Sequence, residues 1–421
     1  MAEVTQAPLL PNVRVPAVWT FAGLAAGLAA GLALQGTALL APAIGVAGPV
    51  GALWLKALQM TILPLVTALL FLGIVRTVAE AAAGATARRT LTLFAAVLLA
   101  GAVMAVLLTP LLLQAVPIPA EAALALSASG AASGPVPGIS EFLQSLMPAN
   151  VVAAAAQNAM LPVILFTALF ALAATRLEQA PRRLLTGFAE ALAGAMMVII
   201  GWVLALAPLG VFALALGVAA SSGTSAIAAL AHYIAVVASI GAVVLIAAYG
   251  VAIGLARQRP GSFARAVLPT QAVAISTQSS LASLPAMLAA CRRLGLGETS
   301  AEFVLPLAVA LFRATGPAMN LAVAIYVAKL SGVALTPAAL AAGVAVAMLT
   351  TLGAPSLPGT ISFVTSIGPI ALAMGIPLGP LALLVAVEML PDIMRTLGNV
   401  TMDVAVTAVV DRRTRSQSTF S

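Results

Sequence analysis

Apolar runs of about 20 residues recur along this chain, and they restrict it to few folds. Trp19 to Leu40, Pro49 to Val75, Thr90 to Leu113, Val151 to Leu177, Ala189 to Leu216 and Thr224 to Ala256 are all of this kind. Within lipid a segment must satisfy its own backbone polar groups, so runs like these become helices. The chain has 421 residues, 62% of them hydrophobic and 7% charged. With a mean hydropathy of +1.15 it reads as an all-α polytopic membrane protein. That length holds roughly eight to ten spans. The polar stretch Met1 to Val15 reads as an N-terminus that stays attached rather than a cleaved signal. The single cysteine, Cys291, excludes an internal disulfide and a cysteine metal site. The single histidine, His232, lies in an apolar run and reads as a packed residue, with a proton relay as the alternative.

The net charge of +7 is a topology signal rather than a nucleic-acid footprint. Arginines cluster at Arg14, Arg76, Arg88–Arg89, Arg176–Arg183, Arg257–Arg265, Arg292–Arg293 and Arg412–Arg415, while Gln114 to Val151 holds no Lys or Arg. That alternation follows the positive-inside rule and expects both termini in the cytoplasm. The Ser/Gly/Pro-rich stretch Ser127 to Gly138 is then an extracellular loop. Lys56, Arg313, Lys329 and Arg395 fall outside the clusters, and Arg313 and Arg395 lie deep in the apolar C-terminal half.

That half has a different texture. Ala264 to Ala290 is interrupted at Ser276–Pro285, Leu305 to Leu330 at Arg313–Pro317, and Ala338 to Met374 at Gly353–Gly359. Paired interrupted segments point to a transporter of inverted repeats with its site at the membrane midplane; helices merely kinked by Pro and Gly are the plainer alternative. Leu383 to Asp403 follows, with Glu388, Asp392, Arg395, Asn399 and Asp403 spaced by four, three, four and four residues. On one continuous helix those side chains share an arc of roughly 80°, with Thr396 at its edge. Val387, Leu390, Met394, Leu397 and Val404 form the opposite face, expected to meet lipid or neighbouring helices. Ionisable residues at such depth are functional by default. Asp392 can accept from an ammonium, and Arg395 can grip a carboxylate bidentately. Asn399 can donate to and accept from a substrate backbone. The backbone at Gln278, Ser279 and Ser280 can cradle a second carboxylate. The plainer alternative is that Asp392 and Arg395 pair only with each other.

Several of these stretches resemble the glutamate transporter family, the dicarboxylate/amino acid:cation symporters. Thr277-Gln-Ser-Ser-Leu-Ala-Ser-Leu-Pro285 resembles the tip of the family's first re-entrant hairpin, and Gly353 to Gly359 the tip of its second. Asp392-x-x-Arg-Thr-x-x-Asn-Val-Thr-x-Asp403 resembles its last helix. The resemblance runs from about Trp19 to Asp411 and implies eight transmembrane helices plus two re-entrant hairpins, in a homotrimer of elevator-type carriers. It implies scaffold helices in 15–75 and 150–220, and a sliding transport domain made of 88–113 and 224–412. The implied substrate contacts are Gln278, Ser279, Ser280, Pro358, Gly359, Asp392, Arg395, Thr396 and Asn399.

One departure matters for coupling. The family's seventh helix carries Asn-Met-Asp-Gly-Thr, which holds sodium, where this chain has Phe312-Arg-Ala-Thr-Gly316. The resemblance therefore implies a sodium-independent carrier of aspartate or glutamate, with Arg313 replacing a sodium ion beside Asp403. A snorkelling Arg313 is the plainer alternative. A proton-coupled carrier of glutamate, cystine or a related diacid, using Glu388 or Asp403, stays open, as does an anion-conducting channel. The reading needs no cofactor, no resident metal and no enzymatic chemistry. Its partners are a small acidic amino acid, the lipid bilayer and further copies of the chain in a bacterial plasma membrane.

Overall fold

The computed structural model describes residues 17–82, 84–119, 147–157, 159–222, 225–353 and 366–418. The described residues are helical apart from turns and short connections, with no strand among them. The chain forms α1 (Ala17–Leu34), α2 (Leu40–Ala82), α3 (Ala85–Ala115), α4 (Val151–Ala156), α5 (Met160–Ala174), α6 (Gln179–Ala205), α7 (Ala207–Ser222) and α8 (Ser225–Gly250). A π-helical turn, Val251–Leu255, ends α8. Then follow α9 (Pro260–Thr277), α10 (Leu284–Arg293), α11 (Glu298–Leu311), α12 (Gly316–Leu330), α13 (Pro337–Gly353), α14 (Gly368–Ala373), α15 (Gly379–Leu384) and α16 (Met389–Ser418).

Six helical stretches are long and apolar enough to cross a membrane, and Glu298–Leu330 counts as one of them although it breaks in the middle. Four shorter apolar helices accompany them, so the eight expected spans are not distinguished by length alone. α2 is unbroken over 43 residues, about 65 Å, and exceeds one hydrocarbon thickness. Pro49, where the expected span begins, lies inside this longer helix.

Three expected elements differ in detail, each for a backbone reason. Ala189 to Leu216 is two helices, α6 and α7, parted at Leu206. Pro208 has no N–H to give back to the preceding turn, and Leu206 and Leu209 close instead with tighter i→i+3 bonds. Val151 to Leu177 breaks near Pro162, between α4 and α5. Asn150 caps the short α4 by accepting from Val152 and Ala153 N–H groups at 2.9 and 3.1 Å. Pro162 then sits in the first turn of α5, where a missing donor costs little. The last helix is also discontinuous: α15 and α16 are parted by the turn Val385–Glu388. Pro391 deprives the Val387 carbonyl of its usual partner, and the N–H groups of Ala386, Val387 and Glu388 close i→i+3 bonds.

Two packings organise the bundle. α1, α2 and α7 pack together, with α1 and α7 backbone to backbone. A Cβ at Gly23 or Gly27 would overlap the carbonyl oxygen of Pro208 or Phe212, and at Gly31 it would stand 2.6 Å from that of Leu216. This Gly-x-x-x-Gly-x-x-x-Gly spacing is how membrane helices approach closely. Trp54 of α2 lies flat over Gly210 and donates its indole N–H to the Val203 carbonyl at 2.9 Å. The other packing is built on α16, which lies against α8, α9 and α11, while α12 packs on α3 and α8. From Arg395 to Asp411 every residue of α16 is buried. The face opposite the polar stripe therefore mostly meets other helices; Met394 is half-buried and Leu390, in the first turn of α16, is exposed.

Candidate functional site

The polar stripe of the C-terminal segment converges on Arg395. Its Nη2 lies 2.7 Å from Glu388 Oε1 and its Nη1 donates to Asn320 Oδ1 at 2.7 Å. Its Nε is 3.2 Å from Asp392 Oδ1, close enough for an ion pair but too poorly aligned for a hydrogen bond. Glu388 is fully buried, and its second oxygen accepts from the Tyr233 hydroxyl at 3.0 Å. Glu388 belongs to the turn before α16 rather than to its first helical turn. Its side chain still reaches Arg395, so the break moves the backbone without dispersing the charges.

One and two turns further along, the stripe meets the break between α11 and α12. The main-chain N–H of Thr315 donates to Asn399 Oδ1 at 2.9 Å, and the Thr315 hydroxyl lies 2.9 Å from that oxygen and 3.1 Å from the Arg395 carbonyl. A backbone N–H is always a donor, so Asn399 must face it with oxygen. Its acceptor is thereby engaged within the protein, and its NH2 group keeps the donors a substrate would use. Thr396 turns its hydroxyl back to the Asp392 carbonyl at 3.0 Å. Asp403 is fully buried, and neither carboxylate oxygen has a hydrogen-bond partner among the described residues. The half-buried Arg313 lies close enough for its charge to act on both Asp392 and Asp403.

The same break is filled by an aromatic ring. Phe312 is buried and stacks on Phe94 of α3 with centroids 4.3 Å apart and planes 11° apart. Neither Phe312 nor Ala314 offers a side-chain oxygen to a cation. Among the described residues no group of three or more His, Cys, Asp or Glu is placed to hold a metal.

The other expected contacts are placed less closely. Gln278 ends α9 in the left-handed region, φ +48°, an uncommon conformation for a side chain with a Cβ. Its N–H bonds back to Ala274, and Ser279 accepts from both N–H and hydroxyl of Ser283. Gln278, Ser279 and Ser280 are half-buried, and their described hydrogen bonds stay within this helix–turn–helix. Pro358 and Gly359 lie outside the described residues, as does the Ser127–Gly138 loop. His232 bridges the Tyr326 hydroxyl at 3.2 Å and the Val116 carbonyl at 3.0 Å. A shallow open crevice lies elsewhere, between α2 and the α14–α15 region, and its lining is apolar apart from Gln59.

Asn320, Thr315 and Tyr233 were not singled out from sequence. Asn320 had a usable signal, being the one amide in the apolar run Gly316–Leu330. Tyr233 had none, since a tyrosine in an apolar span is ordinarily packing.

Several membrane-length helices enclosing buried carboxylates and guanidinium groups define a multi-pass membrane protein of the transporter class. Residues 17–413 match the model of the sodium:dicarboxylate symporter family. The chain belongs to that family, as the motifs around Thr277 and Asp392 implied. It is 29% identical over 274 residues to the proton/sodium-glutamate symport protein of Bacillus subtilis, covering 65% of this chain and 62% of that protein. It is 30% identical over 264 residues to the proton/glutamate-aspartate symporter of Escherichia coli, covering 62% of this chain and 60% of that protein. It is 26% identical over 377 residues to a C4-dicarboxylate transport protein of Leptothrix cholodnii, covering 87% and 82%. The matches to the two glutamate symporters thus span less than two thirds of those proteins' length. The family and these relatives are transporters, not enzymes.

Proposed function

We propose that this chain is a secondary transporter for acidic amino acids, aspartate or glutamate. One observation carries the substrate class: Glu388 and Asp392 share the single guanidinium of Arg395, and Glu388 holds the shorter contact. With Asp403 and Arg313 counted as well, the cluster has three carboxylates and two guanidinium groups. Burying an uncompensated carboxylate costs several kcal/mol. An acidic amino acid brings an ammonium that pairs with Asp392 and adds one net negative charge, whereas a plain diacid adds two and leaves Asp392 without that partner. Arg395 reads the side-chain carboxylate and the Asn399 NH2 group the substrate backbone, with Gln278, Ser279, Ser280, Pro358 and Gly359 closing over the other side.

The carrier is an elevator. Residues 15–75 and 150–220 form the scaffold, supported by the glycine contacts of α1, α2 and α7. Residues 88–113 and 224–412 form the moving domain, with two re-entrant hairpins and eight full spans in all. It assembles as a homotrimer in a bacterial inner membrane with both termini cytoplasmic. Transport is sodium-independent: Arg313 supplies beside Asp403 the positive charge that a sodium ion supplies in relatives carrying the Asn and Asp ligands. Proton coupling through Glu388 or Asp403 is compatible with this arrangement.

C4-dicarboxylate transport is the second reading, favoured by the Leptothrix cholodnii relative, whose match covers most of this chain. Uptake of labelled L-aspartate and of succinate into liposomes holding the purified protein separates the two. Saturable aspartate uptake with little succinate uptake supports the proposal, and the reverse order refutes it.

A further inference from the structure

Every nitrogen of the Arg395 guanidinium faces a group of this chain: Glu388, Asn320 and Asp392. Glu388 holds its place from both sides, one oxygen on Arg395 and the other on the buried Tyr233 hydroxyl. Its backbone is anchored less firmly, since its N–H reaches the Val385 carbonyl at 3.4 Å in the turn that interrupts the last helix. Its carbonyl accepts from the Asp392 N–H at 3.0 Å, so the residue joins the turn to the first turn of α16.

We propose that Glu388 and the substrate's side-chain carboxylate use Arg395 in alternation, so that Glu388 carries the guanidinium charge whenever the carrier crosses without cargo. The inference rests on the acidic amino acid reading. A carrier that selects a carboxylate with a buried arginine must return that arginine across the membrane, and an unpaired guanidinium at depth is costly. Asp392 does not solve this alone: its ion pair at 3.2 Å engages Nε and leaves Nη2 to another partner. Glu388 does, with an ion pair at 2.7 Å. An incoming carboxylate meets Glu388 at Nη2, and two like charges on one nitrogen repel, so Glu388 gives way. Asn320 keeps Nη1 fixed meanwhile, and Tyr233 retains the displaced Glu388 by its hydroxyl. Glu388 is on this account a positioning residue of the empty carrier and a competitor of the substrate.

The test compares two modes of labelled L-aspartate uptake by the full chain in liposomes. In exchange mode unlabelled L-aspartate is inside, and in net mode none is. Glu388→Gln should lower net uptake about tenfold or more relative to exchange, because only net uptake requires the empty return. It should also lower the half-saturating aspartate concentration for exchange, because the competitor is gone. Tyr233→Phe should shift both in the same directions by less, and it decides the matter if Glu388→Gln does not reach the membrane folded. A parallel fall in both modes, an unchanged ratio, or a raised half-saturation would overturn the proposal. A wild-type protein that moves aspartate in neither mode would refute the substrate reading and the alternation with it.

Discussion

The α1–α2–α7 unit and the α8–α12–α16 unit are both buried helix packings, yet they are held by opposite means. The first uses absence of side chain: Gly23, Gly27 and Gly31 let backbones touch, and Trp54 lies on Gly210. The second uses side chains that lipid would reject, tied to one another through Arg395, Glu388, Asn320, Tyr233, Thr315 and Asn399. Without a hydrophobic drive between helices in lipid, packing and interhelical hydrogen bonds are the available means. Close backbone contact has one good geometry and favours a fixed unit. A charge network can exchange partners, and so it suits a region that takes up and releases a ligand.

The sharpest way to break that contrast is Arg395→Cys. It strands Glu388 and Asp392 together and removes the grip on an acidic side chain. Aspartate affinity should fall by roughly 2–5 kcal/mol. Calorimetric titration checks this, and unchanged affinity would remove Arg395 from the site.

Gly27→Val attacks the other unit. The new side chain would overlap the Phe212 carbonyl, which is backbone and cannot turn aside. Overpacking of this kind costs typically 1–3 kcal/mol, and the backbone contact puts it at the upper end. The thermal midpoint of the detergent-solubilised protein should drop, while aspartate affinity of the folded fraction stays near wild type. A selective loss of affinity with an unchanged midpoint would mean that the two units are not separable.

Thr315→Val is the milder probe. It keeps the N–H that binds Asn399 and removes only the hydroxyl. A single buried hydrogen bond contributes about 1 kcal/mol, so affinity should weaken a few-fold. No change would show that Asn399 is held by the main chain alone.

These variants also mark what could be read in the chain. Asp392, Arg395, Asn399 and Asp403 stood out because polar residues spaced by three and four share a helix face, and the structure keeps them on α16. Glu388 was placed with them on one continuous helix, but Pro391 breaks that helix by a backbone effect the side-chain period does not carry. Asn320, Thr315 and Tyr233 stayed hidden for another reason: their roles come from neighbours 75, 84 and 155 positions away. Within one helix, periodicity reports a shared face, but it is silent on which distant helix lies opposite. The breaks at Gln278 and Phe312 were legible because Ser, Gly and Pro interrupt apolar runs there. That Phe312 fills its break by stacking on Phe94 was not, since the partner lies on α3.

The smallest expected effect bears most directly on the account, in which a tethered guanidinium rather than a dissolved cation stands beside Asp403. If Arg313 stands in for sodium as proposed, its tethered charge is present beside Asp403 whatever cation is in solution. Linkage makes substrate affinity rise with an ion only if that ion binds the loaded carrier better than the empty one. Aspartate binding to the purified protein should therefore have the same affinity in sodium chloride and in choline chloride at matched ionic strength. A gain of about tenfold or more on adding sodium, equivalent to about 1.4 kcal/mol of coupling, would contradict it.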